Sequence, residues 1–316
     1  MAIKRFLLVS IAMVSVLVLL SACSPATSGS GGSNLTVLQL LQNSSSAMSK
    51  LSSAHIDLKV SGSGQAVTNN TTATPTTATP TASSTPTVNQ VSFNLSGTGD
   101  EALPSGEAMQ FTVTQTATNT TNHLAQIVQG DKVYIQNSKG QWYVLDKSVL
   151  KGYVDNPFSG IQSPDLTELI GLLEHTQITD NGVQSLNGQS LRHITIALDK
   201  TALKQFLSNN QQLIDLLGQQ NLNAIIDNTK AFSSSVDLWI DETTYYVHRT
   251  ELKFNLSADT SSLGQYVTPV TSAALVPSNV TTNLDSIVDL SKFNAPVAIT
   301  PPANPIPTSD PTVVFG

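Results

Sequence analysis

Apolar and polar residues alternate one by one along most of this chain, the period of strands that bury one face and wet the other. Ala54, Ile56, Leu58 and Val60 alternate with His55, Asp57, Lys59 and Ser61. Val91, Phe93 and Leu95 alternate with Ser92, Asn94 and Ser96, and Met109, Phe111 and Val113 with Gln110, Thr112 and Thr114. Gly130-Asp131 separates two further strands at 124–129 and 132–136, and Ser138-Lys139-Gly140 leads into another at 141–145. Asn187-Gly188 is the strongest hairpin signal, because both residues accept positive φ; it joins 177–186 to 189–198. Val236, Leu238 and Ile240, an Asp241-Glu242 turn and a strand over 245–256 make one more hairpin. On its second strand Leu252, Phe254 and Leu256 face one way and Arg249, Glu251 and Lys253 the other.

Three stretches change to the helical period. Residues 35–51 carry Leu38, Leu41, Met48 and Leu51 near one face. Ser163 caps a second helix with Pro164 at its first position, followed by Leu166, Leu169, Ile170 and Leu173 at i, i+3, i+4 and i+7 spacing. A third is expected over 201–217, continuing past Gly218 through Leu222, Ile225 and Ile226. Long antiparallel runs with segregated helices predict an α+β fold: a curved antiparallel sheet, a half-barrel, with helices packed on its concave apolar face.

Residues 1–22 read as a signal peptide. Lys4 and Arg5 form a basic start, 6–20 an apolar run, and small residues precede Cys23. Leu20-Ser21-Ala22-Cys23 resembles the bacterial lipobox, in which the cysteine thiol takes a lipid and becomes the first residue after cleavage. Cys23 is the only cysteine in the chain, which excludes a disulfide, a cysteine zinc cluster or a cysteine nucleophile once it is acylated. Lipidation at Cys23 places the protein on the extracytoplasmic face of a cell membrane, in a bacterial envelope. Residues 23–34 are then a lipidated flexible tether of Ser, Gly, Pro and Thr. Residues 35–298 form one domain, interrupted at 68–87 by Thr-Pro and Ala-Thr units that cannot bury enough surface to order themselves. Residues 299–316 are Pro-rich, lack periodicity and read as a loose tail.

Charge narrows the partners. Hydrophobic residues make up 40% and charged ones only 12%, so a large core carries a weakly charged surface. The formal net charge is -7, and loss of Lys4 and Arg5 with the leader makes it two units more negative. A nucleic-acid partner needs a basic face to displace counterions, and none is expected here. Electrostatic docking on anionic lipid heads is excluded for the same reason, leaving the acyl group as the anchor.

The order of these features resembles a known family. A helix, Ser53-Ala54-His55 into a strand, Asp131-Lys132-Val133-Tyr134-Ile135 into Trp142-Tyr143-Val144-Leu145-Asp146, a mid-chain helix, Leu186-Asn187-Gly188-Gln189 into Ile194-Thr195-Ile196, then Leu238-Trp239-Ile240-Asp241 into 246–252, is similar to the LppX/LprA-LprF-LprG lipoproteins of actinobacteria. More loosely it resembles the LolA and LolB lipoprotein carriers. The likeness covers about residues 35–293, and the chain departs from it in the Thr/Pro insertion and the long segment 257–280. The resemblance implies a half-barrel and helices around an apolar cavity, lipid or glycolipid cargo, and a membrane transporter or other envelope protein as partner. It implies no cofactor.

On that reading the cavity lining is Ile56, Leu58, Phe93, Leu95, Phe111, Val113, Ile194, Ile196, Leu238 and Phe254 from strands, with Leu169, Ile170 and Leu173 from the central helix. Ordinary core is the other reading of each, since periodicity does not separate a filled core from a lined cavity. Enzymatic motifs are missing from the sequence: His55 and Asp57 at i, i+2 read as surface, and His123, His175, His193 and His248 lie in no HxxH or HExxH context. No Gly-rich phosphate loop or Gly-x-Ser-x-Gly elbow occurs. The expectation is therefore a non-catalytic lipid carrier, with an envelope interaction or sensing module, its half-barrel filled, as the alternative.

Overall fold

The structure is a computed structural model that describes residues 35–68, 87–104, 106–116, 118–150, 176–201, 204, 219–259, 279–310 and 312–315. Thr36 opens helix α1 (Val37–Met48) with a capping box, its side chain accepting from the Gln39 N–H while the Gln39 side chain accepts from the Thr36 N–H. The buried stripe of α1 is Val37, Leu40, Leu41, Ser44 and Met48. Of the four residues expected on its apolar face, Leu41, Met48 and Leu51 are buried and Leu38 is only half-buried.

Six strands follow as a meander: β1 (Ser53–Thr68), β2 (Thr87–Ala102), β3 (Gly106–Gln115), β4 (Thr120–Gln129), β5 (Lys132–Gln136) and β6 (Trp142–Asp146). A second group is β7 (Thr176–Leu186), β8 (Gln189–Leu198), helix α2 (Gln219–Asp227), β9 (Thr229–Ile240) and β10 (Val247–Asp259). The chain then adds β11 (Asn279–Ser291), β12 (Ile306–Pro307) and a last turn of helix, α3 (Thr312–Phe315). All twelve strands belong to one sheet in the order β12-β6-β5-β4-β3-β2-β1-β11-β10-β9-β8-β7. The sheet is curved and unclosed, and antiparallel except where β12 runs parallel to β6. The half-barrel expectation holds at this level, with few helices among the described residues.

The hairpin at Asn187-Gly188 forms as expected, with φ of 52° and 81°. Thr68 pairs with Thr87, so the Thr/Pro-rich stretch is the connection of the β1–β2 hairpin. Its residues 69–86 lie outside the described residues, as do residues 1–34 with Cys23, the Ser163-capped helix with Leu169, Ile170 and Leu173, and most of 201–218.

Two segments differ from expectation. Strand β11 was not foreseen; it fills the centre of the sheet, pairing with β1 from His55↔Ser291 to Val67↔Asn279 and with β10 from Arg249↔Asp289 to Asp259↔Asn279. Within residues 299–316, read as a loose tail, two places are held instead: Ile306 and Pro307 pair with Tyr143 and Val144, and Val314 is buried. The reason is local. β6 would otherwise end the sheet with unpaired backbone groups, and a short proline-containing strand covers that edge without inviting another.

Val37, Leu40, Leu41 and Met48 of α1 share one core cluster with residues of β1, β2, β3 and β8–β11. A second, smaller cluster joins Val128, Val133, Ile135, Tyr143, Leu145 and Val314.

Candidate functional site: the apolar face of the sheet

Register pairing sorts every strand residue onto one of two faces. On the apolar face, cross-strand partners form continuous rows. One row runs Ile196, Val236, Leu252, Ser286, Val60, Leu95 and Val113 across seven strands from β8 to β3. The next runs Ile194, Leu238, Thr250, Val288, Leu58, Gly97 and Phe111. A row on one side contains Leu290, Ile56, Gly99 and Met109, and a row on the other contains Leu198, Ser234, Phe254, Leu284, Gly62 and Phe93.

The ten strand residues expected to line a cavity therefore fall on four adjacent rows of one face. Ile56, Phe93, Leu95, Val113, Ile194, Ile196, Leu238 and Phe254 are buried, while Leu58 and Phe111 are partly buried and pack against the same cluster.

Glycine shapes the middle of this face. A Cβ on Gly62 would overlap the Phe93 ring, and one on Gly97 would come within 2.8 Å of the Phe111 ring. At Gly99 an added Cβ would run into the Ala108 carbonyl and the Met109 sulfur. Each aromatic ring thus lies flat over a neighbouring strand that has no side chain there, which keeps the centre of the face smooth.

Polar groups interrupt the face at its ends. Between the two core clusters, Glu101 stands opposite Glu107, and Gln126 stands opposite Met109 and Ile135. Both carboxyl residues are buried, and Gln126 Nε2 donates to Glu107 at 2.7 Å. Burial pushes the Glu107 carboxyl up, against the opposing effects of that hydrogen bond and the charge of Lys147. At the other end, Arg192 Nη2 meets Asp180 at 2.6 Å, and its Nη1 reaches Glu242 at 2.9 Å and the Leu35 carbonyl at 3.1 Å. Burial alone would raise the Asp180 carboxyl, but Arg192 and the Gly182 N–H hold it below the ordinary range. The result clasps the β7 bulge, the β9–β10 turn and the start of α1 together.

The opposite face is wet and charged. The His193 ring stacks on Trp239 at 4.3 Å and 5°, and Asp237 accepts from His193 at 2.8 Å and from Thr195 at 2.5 Å. Arg249 lies 5.9 Å from the Trp239 ring centre and pairs with both carboxylate oxygens of Asp289, at 2.6 and 2.7 Å. His55 sits between Asp100 at 2.6 Å and Asp57 at 3.7 Å, within this surface. Among the described residues no group of three or more His, Cys, Asp and Glu has an arrangement that could hold a metal ion.

Besides the residues of β11, sequence reasoning missed polar members of the apolar face, among them Ser234, Glu101 and Glu107. Ser234 lies in the run Ser233-Ser234-Ser235, where alternation cannot be seen. Glu101 and Glu107 flank the turn between β2 and β3, where acidic residues ordinarily signal solvent.

No protein-family model and no curated protein matches this chain. Among solved structures it is similar to the Mycobacterium tuberculosis lipoprotein LppX, at 15% identity over 83% of this chain and 96% of that one, with a TM-score of 0.38. It is similar to LprF from Mycobacterium bovis, at 16% identity over 84% of this chain and 96% of that one, with a TM-score of 0.41. An outer membrane lipoprotein-sorting protein domain from Vibrio parahaemolyticus matches at 9% identity over 76% of this chain and 87% of that one, with a TM-score of 0.19. LppX and LprF are the proteins whose order of elements the sequence resembles.

Proposed function

We propose that this chain is an extracytoplasmic lipoprotein, held to the membrane by acylated Cys23, that carries lipids or glycolipids against the apolar face of its sheet and catalyses no reaction. The helices, in this reading, stand over the concave side and close the compartment. A membrane transporter or another envelope protein supplies or receives the cargo. The observation that carries the reading is the set of four adjacent apolar rows, smoothed by Gly62, Gly97 and Gly99, on a curved sheet that is unclosed among the described residues.

The physical need is simple. Moving an acyl chain out of water is worth about 0.8 kcal/mol per methylene, so a carrier must replace the bilayer with an apolar wall. A row crossing seven strands at about 4.8 Å spacing spans roughly 30 Å, enough for an extended long acyl chain. No side-chain chemistry is required beyond that wall.

Native mass spectrometry of a chain that begins at Ser24, followed by denaturing extraction, tests the proposal. The expected result is a discrete added mass released as lipid. A bare polypeptide mass that takes up none of the diacyl lipids offered to it overturns the carrier reading and favours a filled half-barrel that acts through its surface.

A further inference from the structure

Ser234, like Thr250 and Ser286, places a buried hydroxyl on the apolar face. Its residue is 5% exposed, and its Oγ is the one buried side-chain polar atom among the described residues with no hydrogen-bond partner. Strand register puts it on the row of Leu198, Phe254 and Leu284, all buried and apolar, so no neighbour on its row can take or give a proton. Buried hydroxyls are ordinarily bonded, and leaving one unbonded is unfavourable, so an unpaired one needs a reason.

Its place in the face supplies that reason. On one side of it the row through Val236 is buried throughout, and the row through Leu238 is buried except at Leu58 and Phe111, which are half-buried. On the other side the next row is Phe232, Leu256, Thr282, Gly64 and Val91, half-buried except at Gly64. Among the described residues Ser234 therefore stands where the apolar face passes from buried to half-buried. An acylated lipid has the same profile: alkyl chain, then an ester carbonyl, then a polar group. We propose that Ser234 donates its hydroxyl hydrogen to the ester carbonyl oxygen of an acyl chain lying on this face, fixing how deep the chain sits. The inference rests on the carrier reading and adds the group that is recognised.

The test uses the full acylated chain and a pair of lipids differing only in that carbonyl. The protein is incubated with phosphatidylcholine vesicles containing equal amounts of dipalmitoylglycerol and its ether analogue dihexadecylglycerol, then re-isolated, and both bound lipids are counted by mass spectrometry. The native chain is expected to favour the ester by about three- to tenfold, the worth of one hydrogen bond. Ser234→Ala is expected to bring that ratio close to one while retaining the ether lipid. Ser234→Thr, which keeps a hydroxyl, and Ser233→Ala, on the opposite face where Asn255 Nδ2 reaches Ser233 Oγ at 3.2 Å, are expected to keep the preference. An ester-to-ether ratio that is the same in the native chain and Ser234→Ala overturns the inference and leaves the carrier reading standing, as does equal loss of both lipids in the variant. If the native chain retains neither lipid, the carrier reading fails and the inference with it.

Discussion

On the apolar face Ile194, Leu238, Thr250, Val288 and Leu58 meet across five strands through packing. One residue along the same strands, His193, Trp239, Arg249, Asp289 and Asp57 form a parallel row on the wet face through stacking and charge. The pairing that builds one row builds the other. A slip of one residue would bring Arg249 and Asp289 to the inside and Leu238 and Val288 to the outside, so both faces reject it and the register is determined twice. The apolar face depends on shape, in which a single added carbon matters. The wet face depends on charge, which water screens.

That difference can be broken most severely where a charge lies on the wrong side. Arg192→Met leaves Asp180, whose side chain is 2% exposed, without its partner, and is expected to cost about 3–5 kcal/mol in urea unfolding. Because Arg192 holds the Asp180 carboxyl below its ordinary range, the native clasp contributes stability above that range and loses it as pH falls through the depressed value. Gly99→Ala comes next. Its added Cβ collides with the Ala108 backbone and Met109, and a loss of about 1–3 kcal/mol is expected from overpacking, read by the same titration.

On the wet face the same chemistry should matter less. Arg249→Gln removes the paired contact to Asp289 and the contact with Trp239, both partly open to water, and a loss of about 1 kcal/mol that shrinks further in high salt is expected. A loss as large as that of Arg192→Met would erase the distinction between the faces. The smallest effect is one of slope. Glu107 titrates above its ordinary value when folded, so its contribution is most favourable below the ordinary carboxyl range and declines as pH rises through the folded value. Glu107→Gln should remove that decline, seen as a flatter plot of unfolding midpoint against pH.

Much of the apolar face was legible because alternation over β1, β2, β3, β8 and β10 places Ile56, Phe93, Val113, Ile194 and Phe254 without ambiguity. Strand β11 was obscured by its own inward polar residues. Thr282 and Ser286 occupy apolar-face positions, and only Leu284, Val288 and Leu290 between and after them keep the period. β9 was visible from Val236 onward but begins at Thr229, since Phe232 is followed by three serines whose faces only pairing with β8 and β10 can assign. The docking of Ile306 and Pro307 leaves no periodic trace, because two residues cannot show a period. What decides it is an uncovered strand edge elsewhere in the chain.

The place of β11 between β1 and β10 has a consequence in time. Within the sheet, the first six strands and the next four are linked only through a strand that begins at residue 279, so the pairing of His55 with Ser291 must wait for nearly the whole chain. Such distant pairings make folding slow, since loop closure is unfavourable before any contact rewards it. A chain exported from its amino end would pass through the membrane with its two halves unjoined. If Cys23 is acylated as proposed, it would meet the acylating machinery on an open polypeptide, and the sheet would become continuous only as the last long strand arrived.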